Sequence, residues 1–435
     1  MREYKAPKIA FIGKPNNGKS SIISVLTMDD RIKISREAGT TTQVNEYEYK
    51  DRKNNTIATF YDTPGFEHPK RIHQYLKEHS LKDTIKYLKE LGYRKDVSIL
   101  EAIKESDILC FVVDSSSQPD LNTHGYEIEI LKLVNKNTIV VLNPHKEPNK
   151  NKEWEKFLSK LGLQYVIEFN PLKSGFQQIK NFFQMVEKYY PDIQELKKWH
   201  KEDFNSRLNR SFDLIAQKVY EIVTYEYKGK VDDKKSVAQL KELYFQELNR
   251  KEQELKKELK ELWGYYETEV IDTYFKIEDK QFSKEIGFSR TTLVVLGALA
   301  GLAISVIDGG VTLATFLSAT LAGGVVGASI KQVTDKFSNT VTFKLDERKG
   351  FFVMLTVILR NMEFLDALLN HGHANREPIR ISNDIKKWKY RVDIFNKSEK
   401  KFLNYVFKSF IKNSNVIESK ERLKTFLLRK FPIFI

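Results

Sequence analysis

The architecture this sequence predicts is an α/β domain with a mostly parallel sheet flanked by helices, followed by an all-α helical domain that contains an apolar hairpin. Three observations predict it. Residues 8–27 read as strand, glycine-rich loop and helix, and β-prone apolar runs then alternate with helical periods as far as about residue 190. From Pro191 onward the helical period dominates. It is broken at 291–330 by forty residues that carry one charge, Asp308.

The 435 residues exceed one ordinary core, since domains run to roughly 100–200 residues, so two or three units are expected. An apolar share of 41% and a charged share of 30% describe a folded chain without low-complexity tracts. Cys110 is the one cysteine and sits in an apolar run, which excludes an intrachain disulfide and points to a reducing, cytoplasmic setting. The start, MREYKAPKIAFIG, reads as a first strand and not as a secretion signal. A net charge of +14 suits an anionic partner, either a phospholipid surface or nucleic acid, although lysines on solvated helix faces account for it equally well.

The apolar run Lys8 to Gly13 leads into Gly13-Lys14-Pro15-Asn16-Asn17-Gly18-Lys19-Ser20 and then the helical stretch Ser21 to Met28. This matches G-x-x-x-x-G-K-[ST], in which glycines let the backbone wrap phosphates while amides at the helix start point at negative charge. Lys19 is expected on the β and γ phosphates and Ser20 on magnesium. Asn16, Asn17 and Ser21 complete the phosphate-facing set.

Farther along come Ala38-Gly39-Thr40-Thr41-Thr42-Gln43 and an alternating strand ending in Asp62-Thr63-Pro64-Gly65. Phosphate loop, threonine-rich loop, strand and D-x-P-G in this order resemble the TrmE-Era group of translation-factor-class GTPases over roughly the first 180 residues. The resemblance implies GTP/GDP as ligand and a hydrolase acting on GTP. It also implies that Thr41 closes on magnesium as the switch I threonine, that Asp62 holds magnesium through water, and that the Gly65 amide meets the γ phosphate. Ser20, Thr41 and Asp62 are thus the expected metal set. The family usually carries Gly-Thr-Thr-Arg-Asp where this chain has Gly39 to Gln43, and Thr40 is an alternative ligand.

Phe66 follows Gly65 where Ras-like enzymes place the glutamine that orients water, so hydrolysis is expected to be slow and to need another source of charge. Some relatives recruit potassium through an asparagine at the position of Asn16, and a monovalent cation there would act electrostatically on the transition state. The expected catalytic set is therefore Lys19, Thr41, Phe66 and Asn16. Arg36 is a candidate finger in cis, and Glu67 and His68 are candidates to position water. His68, His73 and His79 lack i, i+4 spacing and read as surface histidines; His371 and His373 read as loop residues.

The strand Thr138 to Asn143 ends in Asn143-Pro144-His145-Lys146 where N-K-x-D is expected. The Asn is kept, but the aspartate that would accept two guanine hydrogen bonds is missing, which lowers discrimination against adenine. Glu147 lies one residue late. Asn170 is the nearest match to a base-contacting loop residue. Between Gly65 and Ser106 runs a long connection with helical periodicity, well placed to report nucleotide state or else a plain solvated hairpin.

Residues 1–190 are thus expected to form the GTPase domain, 191–290 an amphipathic helical region, 291–330 a glycine-rich apolar hairpin and 331–435 a basic helical region. Asp308-Gly309-Gly310 splits the apolar segment into arms of about 17 and 20 residues, near the length that crosses a hydrocarbon core. Lys284, Arg290, Lys331 and Lys336 flank it, and Gly297 with Gly301 and Gly323 with Gly327 recur four apart. Membrane insertion or association, a buried core hairpin and a partner interface all suit it. The whole chain is also similar, more loosely, to bacterial proteins that join an Era-like GTPase domain to a helical domain carrying a glycine-rich apolar stretch.

The expected function is a nucleotide-switched protein in which GTP binding and slow hydrolysis control a helical domain that engages an anionic membrane surface or a protein partner. The expected place is the cytoplasm or the inner face of the membrane. An RNA- or ribosome-associated GTPase is one alternative, without any KH-type or RNP pattern to support it. A nucleotide-binding scaffold with little turnover is another. The resembling GTPases commonly form nucleotide-dependent dimers.

Overall fold

The computed structural model describes residues 6–32, 43–51, 53–145, 149–173, 175–189, 196–232, 236–271, 330–335, 339–345, 347, 350–380 and 395–431. They divide into two compact units. The first is built from described residues within Met1–Ser206, Gly264–Glu267 and Leu369–Arg376, the second from those within Arg207–Trp263, Thr268–Leu368 and Glu377–Ile435.

In the first unit the elements run β1 (Lys8–Ile12), α1 (Lys19–Thr27), β2 (Asn45–Lys50), β3 (Thr56–Asp62), α2 (Pro69–Leu76), α3 (Leu81–Glu90), α4 (Arg94–Glu105), β4 (Ile108–Asp114), α5 (Leu121–Val134), β5 (Thr138–Asn143), α6 (Asn151–Lys160), β6 (Val166–Glu168) and α7 (Phe176–Tyr189). The strands form one sheet in the order β2-β3-β1-β4-β5-β6, parallel except where β2 runs against β3. The central strands KIAFI, ILCFVVD and TIVVLN are apolar almost throughout because helices cover both faces. Side chains alternate between those faces. Ile9, Phe11, Cys110 and Val112 pack with Ile22 and Ile23 of α1 and Phe182 and Phe183 of α7. Ala10, Ile12, Leu109 and Phe111 pack with residues of α2 to α5, among them Ile72, Ile85, Ile99 and Ile128. Burial pushes the Cys110 thiol well up, so it is a packing residue and not a nucleophile.

The long connection after Gly65 is α2, α3 and α4, three amphipathic helices whose apolar sides complete the second core. His73 corrects the expectation of a surface histidine. It is 8% exposed, next to Ile72 on the packed side of α2, with its ring 5.5 Å from Tyr126 of α5. His68 is half-buried and His79 exposed. His371 and His373 lie in the loop after α10 (Phe351–Asn370).

The second unit is mostly helical, with the later part of α8 (Leu196–Val223), α9 (Val237–Leu262), most of α10, α11 (Lys397–Ile411) and α12 (Val416–Lys430). It adds strands that the helical reading of 191–290 and 331–435 did not foresee. β7 (Tyr227–Lys230), β9 (Ile330–Asp335) and β10 (Thr340–Leu345) make an antiparallel sheet in the order β7-β10-β9, and the two-residue strands β8 (Val270–Ile271) and β11 (Ile379–Arg380) pair in parallel. Thr340-Val341-Thr342-Phe343-Lys344-Leu345 has the period of two that buries Val341, Phe343 and Leu345 on one face. Arg360 of α10 and Glu252 of α9, both fully buried, pair at 2.7 Å; each removes the other's unpaired charge from the interior.

Of the predicted apolar hairpin at 291–330, residues 291–329 lie outside the described residues. Among the described residues no helix is long and apolar enough to cross a membrane.

Candidate functional site

The phosphate loop leaves β1 at Gly13, where φ is +141° and a Cβ would overlap the Val112 carbonyl oxygen of β4. Only glycine lets the loop pass that strand so closely. Asn16 turns through φ 67° at the exposed crown, while the buried Asn17 donates from Nδ2 to the Val112 oxygen at 2.7 Å. The crown is thereby pinned to the central strand. Gly18, at φ 89°, opens α1 without any side-chain cap, which leaves the first-turn amides to meet an anion.

Lys19 is buried, and its ammonium donates to the Gly13 and Lys14 carbonyl oxygens at 2.8 Å each. Burial lowers its pKa to about 8; the charge of Lys95 works in the same direction, while Asp62 and Glu127 oppose both. Added negative charge in the loop would raise that pKa again. Ser20 Oγ donates to Asp62 Oδ2 at 2.6 Å, so a hydroxyl and a buried strand-end carboxylate meet across 42 residues. Two converging hard oxygens beside a loop shaped for phosphates fit magnesium.

Thr63 Oγ1 donates to the Phe11 oxygen at 2.6 Å and ties the end of β3 to β1. Gly65 lies so close to Pro15 that a Cβ would overlap its ring, which puts the start of the segment 65–68, the expected switch II, directly against the phosphate loop. Phe66 is half-buried and packs on the second core. Ser21 is half-buried in the first turn of α1.

At the end of β5, Asn143 Nδ2 donates to the Asn17 carbonyl oxygen at 2.9 Å and lies 3.2 Å from His145 Nε2. Asn143 therefore braces the phosphate loop from the end of β5. Asn170 donates from Nδ2 to the Pro144 oxygen at 3.1 Å and accepts from the Leu172 amide, so it ties the last loop to the one that should read the base. Gly13, Asn16, Asn17, Gly18, Lys19, Ser20, Ser21, Asp62, Gly65 and Asn143 surround one loop, with Asn170 behind Pro144. Arg36, Thr40, Thr41, Lys146 and Glu147 lie outside the described residues.

A second arrangement in the same unit had no counterpart in the sequence reading. Residues 264–267 and 369–376 return to grip the segment after α1, which leads into the threonine-rich loop. The buried Asp30 accepts at Oδ1 from the Tyr266 amide at 2.7 Å and at Oδ2 from the Glu267 amide at 3.0 Å. Asp30 donates its own amide to the Gly264 oxygen at 3.2 Å. Arg376 donates to the Asp30 carbonyl oxygen and, from Nη2, to the Ile32 oxygen at 2.6 Å. The Arg31 guanidinium lies 3.9 Å above the Tyr266 ring. The one local signal was Gly264, a left-handed residue directly after α9, which is a common way to end a helix.

A third cluster joins switch II to α4. Asp96, fully buried, accepts from the Glu67 amide at Oδ1 and pairs through Oδ2 with His68 Nδ1, both at 2.8 Å. Sequence spacing alone could not link His68 to a carboxylate 28 residues on.

Residues 8–144 match the family model described as 50S ribosome-binding GTPase, and residues 155–424 match the one described as a domain of unknown function, DUF3482. The tRNA modification GTPase MnmE of Thermoanaerobacter sp. (strain X514) is 34% identical over 176 residues, 40% of this chain and 33% of that protein. GTPase Der of Aquifex aeolicus (strain VF5) is 31% identical over 112 residues, 26% of this chain and 22% of that one. The chain thus spans a third or less of the length of these curated relatives. A crystal structure of a variant of Aquifex aeolicus Era bound to GDP.AlF4- aligns at 18% identity and a TM-score of 0.32, covering 60% of this chain and 90% of that one. With a P-loop GTPase domain of the TrmE-Era kind at residues 8–144 and the second match extending over more than half of its length, the chain belongs to the DUF3482 family.

Proposed function

We propose that this chain is a magnesium-dependent switch that binds GTP, hydrolyses it slowly, and passes its nucleotide state to the helical domain, which engages an anionic surface or a protein partner. The observation that carries the coupling is the grip of residues 264–267 and 369–376 on Asp30 and Ile32. Those two segments immediately flank residues 268–368 in sequence, and they hold the stem of the loop in which Thr41 is the expected switch residue. A shift of that stem on γ-phosphate binding changes what Asp30 and Arg376 can bond.

At the phosphates, the Lys19 ammonium turns from loop carbonyls to phosphate oxygens, and first-turn amides of α1 supply fixed dipoles. Magnesium, held by Ser20, Asp62 and Thr41, would neutralise charge on the β and γ oxygens. Phe66 brings no polar group, and Asn16 at the crown is the candidate seat for potassium. Asn143 holds the base loop to the phosphate loop, and Asn170 and His145 are the polar side chains beside it.

For the partner, α11 carries a support of its own. Lys397, Lys401, Tyr405, Lys408 and Lys412 line one exposed helix face, and these lysines have no ion-pair partner among the described residues. Tyr405 is 51% exposed, and Ile417, just past the next turn, is 83% exposed. Lysines around an exposed aromatic ring and an apolar tip suit phospholipid headgroups.

The test is phosphate release by the purified chain from MgGTP and MgATP in KCl and in NaCl, beside K19A. Magnesium-dependent release from GTP, lost in K19A, is expected, with potassium raising the rate; release from ATP alone, or equal release by K19A, overturns the reading. Flotation with phosphatidylglycerol vesicles tests the partner. Retention in the soluble fraction with every nucleotide contradicts the membrane, and copurifying RNA points to nucleic acid instead.

A further inference from the structure

We propose that His68 is a catalytic residue of the hydrolysis, orienting the attacking water through Nε2, and that Asp96 of α4 is its positioning residue. The assignment rests on the reading of the site as a hydrolase. It replaces a function that Phe66 leaves vacant, since the residue after Gly65 offers no hydrogen bond.

The geometry sets the imidazole in three ways. Asp96 Oδ2 holds Nδ1 at 2.8 Å, which places a proton on Nδ1 and makes Nε2 the acceptor of the neutral imidazole. The ring lies 4.0 Å from that of Tyr93 and within 10° of parallel, and Arg71 donates to the Tyr93 hydroxyl at 2.5 Å. Asp96 itself cannot turn, because its other oxygen receives the Glu67 amide at 2.8 Å.

That amide bond alone would anchor switch II to α4. The second oxygen is instead spent on a histidine whose side chain remains 41% exposed and whose Nε2 has no partner among the described residues. Around the ring stand Asp96, Tyr93, Arg71 and the ion pair of Glu67 with Lys95 at 3.1 Å.

The cluster borders the phosphate site. Gly65, three residues before His68, abuts Pro15 of the phosphate loop, and the charge of Lys95 acts on Lys19. Three residues reach at most about 10 Å. In the step itself the water oxygen bonds to the γ phosphorus while the bond from that phosphorus to the β–γ bridging oxygen breaks. GDP leaves with the electron pair, and the water proton passes to a γ-phosphoryl oxygen. Nε2 accepts the hydrogen bond that points the water lone pair at phosphorus.

Single-turnover hydrolysis, GTP affinity and melting temperature of H68A, H68Q, D96N and H68A/D96N test the assignment. H68A is expected to slow the step about 100-fold, with GTP affinity within about twofold and melting unchanged. H68Q recovers part of the rate, because an amide also orients water. D96N loses about tenfold, and the double variant is no slower than H68A. Wild-type turnover with an undiminished H68A overturns this assignment alone, as do losses that follow melting temperature or GTP affinity. A wild type that releases no phosphate in either salt overturns the hydrolase reading together with it.

Discussion

The Arg376 guanidinium donates to the Ile32 carbonyl oxygen at 2.6 Å across 344 residues of sequence. Ile32 is the last described residue before the segment that contains Thr41, so a residue beyond α10 bonds the chain just ahead of the expected switch. R376A removes two charge-assisted hydrogen bonds, to Asp30 and Ile32, and should cost about 1–3 kcal/mol. Urea unfolding with GDP and with a non-hydrolysable GTP analogue measures it. The stability difference between the two nucleotides should shrink in R376A.

Gly264 and Gly92 form a matched pair, with φ of 77° and 75°. At Gly264 a Cβ would overlap the Met28 carbonyl oxygen, whereas around Gly92 nothing lies within 4 Å. Both alanine variants incur the left-handed penalty of roughly 1–2 kcal/mol. G264A should add a clash with backbone and lose clearly more than G92A in the same unfolding measurement; equal losses would mean that the grip on Asp30 yields easily.

The pKa of Lys19, lowered to about 8 mainly by burial, gives nucleotide binding a pH dependence. Bound phosphates favour the ammonium and raise that pKa, so above pH 8 binding must take up a proton. Affinity should be level below pH 8 and fall above it, by at most about tenfold per unit. Titration of a fluorescent GDP analogue from pH 6.5 to 9.5 checks the trend, and in K19A the slope should vanish.

Ser20 and Asp62 meet at 2.6 Å, and magnesium is expected to enter between them. D62N and S20A should each lose most of the affinity that magnesium adds for GTP while retaining the weaker binding seen in a chelator. Calorimetric titration with and without the metal separates the two contributions.

Much of this site was legible in the chain because its parts are local. Gly13 to Ser20 carries its own strand, turn and helix signals, and Asp62 ends a strand whose period is plain. Other parts depend on contacts that no spacing encodes. Asp96 stands in the first turn of α4 and meets His68 only once that helix folds against switch II. Asp30 and Arg376 lie 346 residues apart and meet only when the chain closes. His73 reads as a surface residue because it lacks i, i+4 spacing with another histidine, yet its side of α2 packs against Tyr126 of α5. β10 falls within the expected helical region 331–435, where six alternating residues stand among long helices.

Amide hydrogen exchange on the full chain, with magnesium and either GDP or a non-hydrolysable GTP analogue, tests the central claim most directly. Protection of residues 264–267 and 369–376 should change with the nucleotide, together with that of Asp30 to Ile32, and R376A should abolish the change in both segments. Nucleotide-dependent exchange confined to the phosphate loop and switch II, with both segments the same in each state, would contradict it.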